Sequence, residues 1–96
     1  MRSIINIAGT KFRPAETKNY IRDLSIGEAL VAEREPDNKH DPNAIRLIHA
    51  GTFIGYVPAS TAEEVAPLID DGATVECEIV GFANDITPVC ELTVEP

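Results

Sequence analysis

The segment 37–43 holds the greatest density of side chains that could do chemistry, with two carboxylates, two amides and an imidazole. Carboxylate oxygens and imidazole nitrogens are common metal ligands. A calcium-binding loop, however, would need glycine at its sixth position and an acid at its twelfth, and counting from Asp37 those positions hold Pro42 and Ile48. The pair His40 and Asp41 is also a poor metal site, because adjacent side chains rarely point to one ion. We therefore predict no metal and no cofactor.

The same segment has a structural interpretation. Asp and Asn side chains accept hydrogen bonds from backbone amides in tight turns, and Pro fixes the backbone torsion. The segment could therefore end one strand and start the next without binding anything. Residue chemistry alone favours this interpretation over a functional one.

Two stretches change that balance: Arg34-Glu-Pro-Asp-Asn-Lys-His-Asp-Pro-Asn-Ala-Ile45 and Phe53-Ile-Gly-Tyr-Val-Pro58. Together they resemble the core of the HIRAN domain family. That family occurs as a module fused to DNA-remodelling and repair ATPases and as small free-standing bacterial proteins, and it is associated with binding single-stranded DNA ends. The resemblance implies a nucleic-acid-binding module that recognises a 3′-hydroxyl, with a repair or remodelling protein as its partner.

The resemblance also implies roles for particular residues. Phe12 matches an aromatic residue that stacks on the terminal base, and Lys11 is its basic neighbour. A flat ring accepts any base without reading sequence. Asp41 matches a carboxylate that accepts a hydrogen bond from the 3′-hydroxyl. A 3′-phosphate would be refused there, because an ionised carboxylate has no donor and repels a second anion.

Five further positions match the family's DNA-end pocket. Two asparagines are expected to divide their roles, one touching the nucleic acid and the other bracing the turn, and a histidine stands where the family often has tyrosine. The other two are aromatic residues at the pocket wall and near the last hairpin. For the aromatic residues, packing in the core is the alternative. The five positions are Asn38, His40, Asn43, Tyr56 and Phe82.

The charge distribution argues against an extended nucleic-acid footprint. Residues 1–46 carry all eight Lys and Arg with seven acids, whereas residues 47–96 carry nine acids and no Lys or Arg. Nucleic-acid binding usually depends on a basic surface. Pro58-Ala-Ser60 stands where DNA-binding members of the family can have lysines, so other bases would have to converge: Lys11, Arg13, Lys18, Arg22, Lys39 and Arg46. The alternative function is a protein-interaction module that uses the acidic second half as its surface.

Nothing in the sequence indicates an enzyme. There is no Gly-rich phosphate loop and no nucleophile elbow, and a metal-dependent nuclease is a remote third possibility. No apolar run reaches the ~20 residues of a membrane span, and the start of the chain lacks the apolar stretch of an export signal. We therefore expect a cytoplasmic protein without catalytic residues.

The elements that must position these residues follow from apolar periodicity and turn formers. One domain over residues 1–96 is expected, mostly β, with six short strands and one helical segment between strands four and five. Closure into a small OB-like or SH3-like barrel would remove unpaired strand edges. Gly55 within the fourth strand predicts a bulge or a close backbone approach. The predicted strands are 3–8, 28–35, 44–49, 52–57, 73–82 and 87–95, with a structured loop at 10–25 that could contain one helical turn.

The helical segment has a predicted start and stop. Ser60-Thr-Ala-Glu63 has the form of a capping box, and Gly72 is a suitable C-terminal stop. Pro67 predicts a kink or a division into two short helices. Cys77 and Cys90 fall on the apolar sides of the last two strands, which favours buried hydrophobic side chains over a disulfide or a metal site.

Overall fold

A computed structural model describes residues 1–96, which form six strands, two α-helices and a short 3-10 helix at Thr10–Phe12. The predicted mostly-β class is therefore confirmed. The strands are β1 (Arg2–Asn6), β2 (Ala29–Arg34), β3 (Ile45–His49), β4 (Thr52–Tyr56), β5 (Thr74–Asn84) and β6 (Thr87–Glu95), and the helices are α1 (Ala15–Arg22) and α2 (Ala59–Asp70).

The strands form one antiparallel sheet in the order β1-β6-β5-β2-β3-β4. The predicted barrel is wrong, because no ladder joins the end strands β1 and β4. A single isolated bridge between Ala8 and Tyr56 connects the two ends. The chain turns away after this bridge, since Gly9 has a left-handed backbone (φ 78°) and leads into the 3-10 helix. The sheet is therefore curled but not closed.

The core lies on the concave side of the sheet, where alternate strand residues are buried. Ile5 of β1, Leu47 of β3 and Leu92 of β6 are all at most 4% exposed. Helix α2 contributes three fully buried residues, Ala62, Val65 and Ala66. The opposite face of the sheet is left to solvent.

Helix α1 was not predicted beyond one possible turn. It begins after Pro14, whose carbonyl accepts a hydrogen bond from the Lys18 amide at 3.0 Å. The helix contributes one buried residue, Ile21, and Leu24 is buried just beyond its end. So short an apolar pattern within polar sequence gives little periodicity, which is why the segment was interpreted as a loop.

Helix α2 differs from the prediction at its start and at Pro67. It begins at Ala59 with Pro58 as N-cap, so the expected capping box at Ser60 is wrong. It also continues through Pro67 as one helix, so the predicted division into two short helices is wrong, whereas the alternative of a kink at Pro67 stays a prediction. Gly72 ends it as predicted, with φ 99° and hydrogen bonds from Gly72 N to Ile69 O and from the next amide to Leu68 O.

The two cysteines are free and buried, as predicted. They lie diagonally across β5 and β6, where Cys77 is opposite Leu92 and Cys90 is opposite Ile79. The hydrogen bond between the thiols, together with burial, raises the pKa of the Cys77 thiol. Cys77 is 3% exposed and Cys90 is fully buried, so both act as core residues.

Candidate nucleic-acid interface

Four of the predicted site residues line one cavity of about 310 Å³ beside the bridge between Ala8 and Tyr56. Three come from the turn between β2 and β3, and the fourth ends β4. The rest of the lining is small and apolar. The polar members are Asn38, His40, Asp41 and Tyr56, and the apolar members are Ala8, Ala44, Val57 and Ala59.

The turn is built by its own side chains, as the structural interpretation requires. Asn38 Oδ1 accepts hydrogen bonds from the amides of His40 (2.9 Å) and Asp41 (3.1 Å). Asp41 Oδ1 accepts one from the Asn43 amide at 2.9 Å. These bonds leave Asp41 Oδ2 and the His40 ring without protein partners at the cavity. The same residues therefore both brace the turn and present free polar atoms.

Glu35 is the residue that sequence reasoning missed. Its Oε1 accepts hydrogen bonds from the Tyr56 hydroxyl at 2.9 Å and from Asn38 Nδ2 at 3.0 Å. Burial, followed by the bond to Glu35, raises the pKa of Tyr56, so the phenol stays protonated at neutral pH. One carboxylate thus fixes two walls of the cavity. Glu35 lies one residue beyond β2, and the alternation Val31, Glu33, Glu35 was the signal that could have placed it on the same face as Glu33.

Replacing Glu35 by alanine should loosen the cavity. Tyr56 and Asn38 would lose their shared acceptor, and bonds to a charged group contribute about 1.5–3 kcal/mol each. We expect the free energy of unfolding to fall by about 2 kcal/mol in urea titrations and the pKa of Tyr56 to move down. Glu33→Ala is the matched control, because Glu33 lies two residues earlier in the chain and bonds only to Arg46. Equal stability of the two variants would contradict this role for Glu35.

The stacking pair predicted at Lys11 and Phe12 does not line the cavity. Ala8 and Tyr56 exchange two backbone hydrogen bonds of 2.8 and 2.9 Å, and the 3-10 helix begins two residues later. Phe12 is 78% exposed, so it is not a core residue. Lys11 Nζ lies 5.1 Å from the centroid of the Phe12 ring. An exposed ring with an adjacent cation is suited to stacking on a base.

Two other predicted site residues lie outside the cavity. Asn43 donates its backbone amide to Asp41 and is half-buried. Phe82 is 39% exposed on β5, opposite Pro88, whose carbonyl accepts a hydrogen bond from the Ile7 amide at 3.0 Å. Phe82 is therefore connected, through Pro88 of β6, to the segment that leads into the 3-10 helix.

Only some of the candidate basic residues lie near the cavity. Arg22 pairs with Asp85 at 2.8 Å on the surface, so it is engaged elsewhere. Arg13 and Arg46 both lie over the Phe53 ring, with guanidinium carbons 4.1 and 5.9 Å from its centroid. Phe53 in turn packs edge-to-face on Tyr56, with ring centroids 5.2 Å apart. Two arginines are thereby placed next to the cavity wall.

The chain contains no group of three or more His, Cys, Asp and Glu side chains arranged to hold a metal ion. Neither helix combines the length and the apolar character that crossing a membrane would take.

The family model of the HIRAN domain matches residues 2–94. The chain belongs to the HIRAN domain family. This HIRAN domain is similar to part of two plant proteins, each a Fanconi-associated nuclease 1 homolog. The Oryza sativa subsp. japonica protein is 37% identical over 60 residues, covering 58% of this chain and 6% of the relative. The Arabidopsis thaliana protein is 36% identical over 66 residues, covering 68% and 7%. The chain thus spans less than a tenth of these relatives.

Two crystal structures share the fold. The HIRAN domain of human HLTF superposes with a TM-score of 0.80 at 21% identity, covering 97% of this chain and 74% of that one. A protein from Lactobacillus plantarum gives a TM-score of 0.82 at 17% identity, with both chains covered completely. At such identities the likeness establishes the HIRAN fold of the chain and leaves its site to be argued from its own residues.

Proposed function

We propose that this HIRAN domain is a non-catalytic module that binds the end of single-stranded DNA and recognises a free 3′-hydroxyl. Membership of the HIRAN family supports a DNA-binding module. The observation that carries the finer proposal is the carboxylate of Asp41, which lines the cavity with one oxygen engaged by the Asn43 amide and the other without a protein partner. A hydroxyl group can donate to that free oxygen.

The remaining walls suit a terminal nucleotide. A volume of about 310 Å³ is at the small end of ligand pockets, and its alanine and valine surfaces can contact a sugar and one base. In this proposal the exposed ring of Phe12 stacks on a base outside the cavity, and the exposed His40 ring offers a second flat surface. Base stacking contributes about 1–3 kcal/mol per base without sequence preference.

The acidic net charge determines how binding should depend on strand length and on salt. With a net charge of −8, the protein should repel duplex DNA at long range and engage few phosphates of a single strand. Binding should therefore depend on the end of the strand more than on its length. It should also show a shallow dependence on salt, because each phosphate contact adds about 0.7 to the slope of log K against log salt for single strands.

Fluorescence anisotropy at low salt tests the proposal with three oligonucleotides of one sequence, ending in a 3′-hydroxyl, a 3′-phosphate or a blunt duplex. We expect the 3′-phosphate to bind at least about tenfold more weakly, because it presents an anion to Asp41. A label at the 5′ end should leave affinity unchanged. Equal affinity for the hydroxyl and phosphate ends would refute recognition of the 3′-hydroxyl.

A repair or remodelling protein is the proposed working partner. The plant relatives carry their similar segment within much longer chains named Fanconi-associated nuclease 1 homologs. In this proposal the HIRAN domain holds the strand end while a separate protein acts on it.

One observation favours the alternative of a protein-binding surface. Ile4, Glu91 and Glu78 lie side by side across β1, β6 and β5 on the solvent face, and Ile4 is 62% exposed. Like charges directly opposite on neighbouring strands are unfavourable, and only Arg2, 3.6 Å from Glu91, offsets this pair. A basic partner protein would relieve the repulsion. Failure of every oligonucleotide to bind would move the assignment to this surface.

A further inference from the structure

Arg13 differs from every other arginine of the chain in having no carboxylate partner. Arg2, Arg22, Arg34 and Arg46 each lie within 4.0 Å of an acid. The chain carries sixteen acids, so an unpaired arginine is not a consequence of a shortage of carboxylates. The local arrangement must keep Arg13 apart.

The ring of Phe53 holds the Arg13 side chain in place. The guanidinium carbon lies 4.1 Å from the ring centroid, within the range of a cation–π interaction. Arg13 Nε is buried and has no hydrogen-bond partner, whereas its two Nη atoms are not buried and make no hydrogen bond. The outer edge of the guanidinium is therefore open to a ligand from solvent. That edge can bind a phosphate with two parallel hydrogen bonds.

The neighbouring acids are already engaged. Arg46 pairs with Glu33 and lies 3.7 Å from Glu35. Glu35 also accepts the hydrogen bonds from Tyr56 and Asn38. Because these contacts occupy both carboxylates, neither pairs with Arg13.

We infer that Arg13, held on the Phe53 ring, binds one backbone phosphate of the strand whose end occupies the cavity. In this arrangement the strand passes from the cavity over Tyr56 toward Phe53, whose ring is in edge-to-face contact with that of Tyr56. This inference rests on the proposed function. It assigns the electrostatic contact to a single arginine instead of a broad basic patch.

A methylphosphonate scan tests the inference, because each substitution removes the charge from one linkage. Oligonucleotides with a free 3′-hydroxyl would carry the neutral linkage at the first, second, third or fourth position from the 3′ end. Wild type should lose about five- to tenfold in affinity at one position. The Arg13→Gln variant should bind the unmodified strand about five- to tenfold more weakly than wild type does. The neutral linkage should not weaken its binding further. The slope of log K against log salt should fall by about 0.7.

Two further variants distinguish the placement of Arg13 on the Phe53 ring from the effect of net charge. Phe53→Leu keeps an apolar side chain but removes the ring face, so it should reduce affinity without removing the 3′-hydroxyl preference. Lys18→Gln removes one positive charge from α1 and should leave the linkage profile unchanged. Circular dichroism spectra would establish that each variant is folded.

Three results would overturn the inference. The first is an Arg13→Gln variant that keeps the wild-type linkage profile and salt slope. The second is an equal effect of Lys18→Gln, which would indicate net charge alone. If the 3′-hydroxyl preference persists in either case, the proposed function stands and only the role of Arg13 falls. The third is absence of binding to any single strand, which overturns both.

Discussion

Replacing Asp41 by asparagine should weaken binding of an oligonucleotide with a free 3′-hydroxyl and remove the discrimination against a 3′-phosphate. The substitution preserves the turn, because an amide oxygen can still accept from the Asn43 amide, now 2.9 Å from Asp41 Oδ1. It places an NH₂ donor where the free carboxylate oxygen was. A hydroxyl group can accept from that donor, so the substitution exchanges a hydrogen bond to a charged group for a neutral one, a difference of about 1 kcal/mol or roughly fivefold in Kd.

The same substitution should strengthen binding of the oligonucleotide that ends in a 3′-phosphate. A 3′-phosphate meets a negative charge in wild type and a neutral donor in the variant, so its affinity should rise while that of the hydroxyl falls. This crossing of two affinities is a sharper readout than a loss of binding, since unfolding would lower both. Anisotropy titrations with the two oligonucleotides would measure it.

Asp37→Asn is the matched control for this change. Asp37 belongs to the same turn and loses the same charge, but it is exposed and does not line the cavity. The variant should keep the wild-type ratio of hydroxyl to phosphate affinity. If Asp37→Asn altered the ratio as much as Asp41→Asn, the selectivity would come from the net charge of the turn, and Asp41 would have no specific role.

The sequence predicted those features that depend on local chemistry. The turn side chains of Asn38 and Asp41 accept backbone amides as their residue types indicate, and Gly72 ends α2 because few other residues adopt its backbone conformation easily. Alternating apolar residues located all six strands to within a few positions. The mostly-β fold and the central turn therefore follow from residue types and spacing.

Features that depend on which distant residues meet could not be predicted in this way. Glu35 was predicted only as the end of a strand, because its contact with Tyr56 joins two segments that are 21 residues apart in the sequence. Arg13 was one of several candidate bases, and only its contact with Phe53 distinguishes it. The barrel was expected because closure removes edges, but the end strands share one bridge, since the chain turns at Gly9.

Gly55→Ala should be the most disruptive single-methyl change near the site. The predicted close backbone approach at Gly55 is confirmed: a Cβ there would lie 2.5 Å from Ile7 Cγ2 and 2.7 Å from Ala8 O. Contacts this short require the segment that contains Ile7 and Ala8 to move, because a backbone oxygen cannot rotate away as a flexible side chain can. Overpacking of a buried position costs about 1–3 kcal/mol, or a fall of roughly 5–20 °C in Tm for a domain of this size.

The displacement should also reach the cavity. Ala8 and Tyr56 both line it, and their two backbone hydrogen bonds form the bridge directly beside Gly55. Gly81→Ala is the matched control, since Gly81 also lies in a strand but a Cβ there has no heavy atom within 4 Å. Thermal melts by circular dichroism should separate the two variants. DNA titrations well below the lower Tm should then show weakened end binding in Gly55→Ala alone, because a folded variant with the bridge displaced no longer holds Tyr56 in the cavity wall.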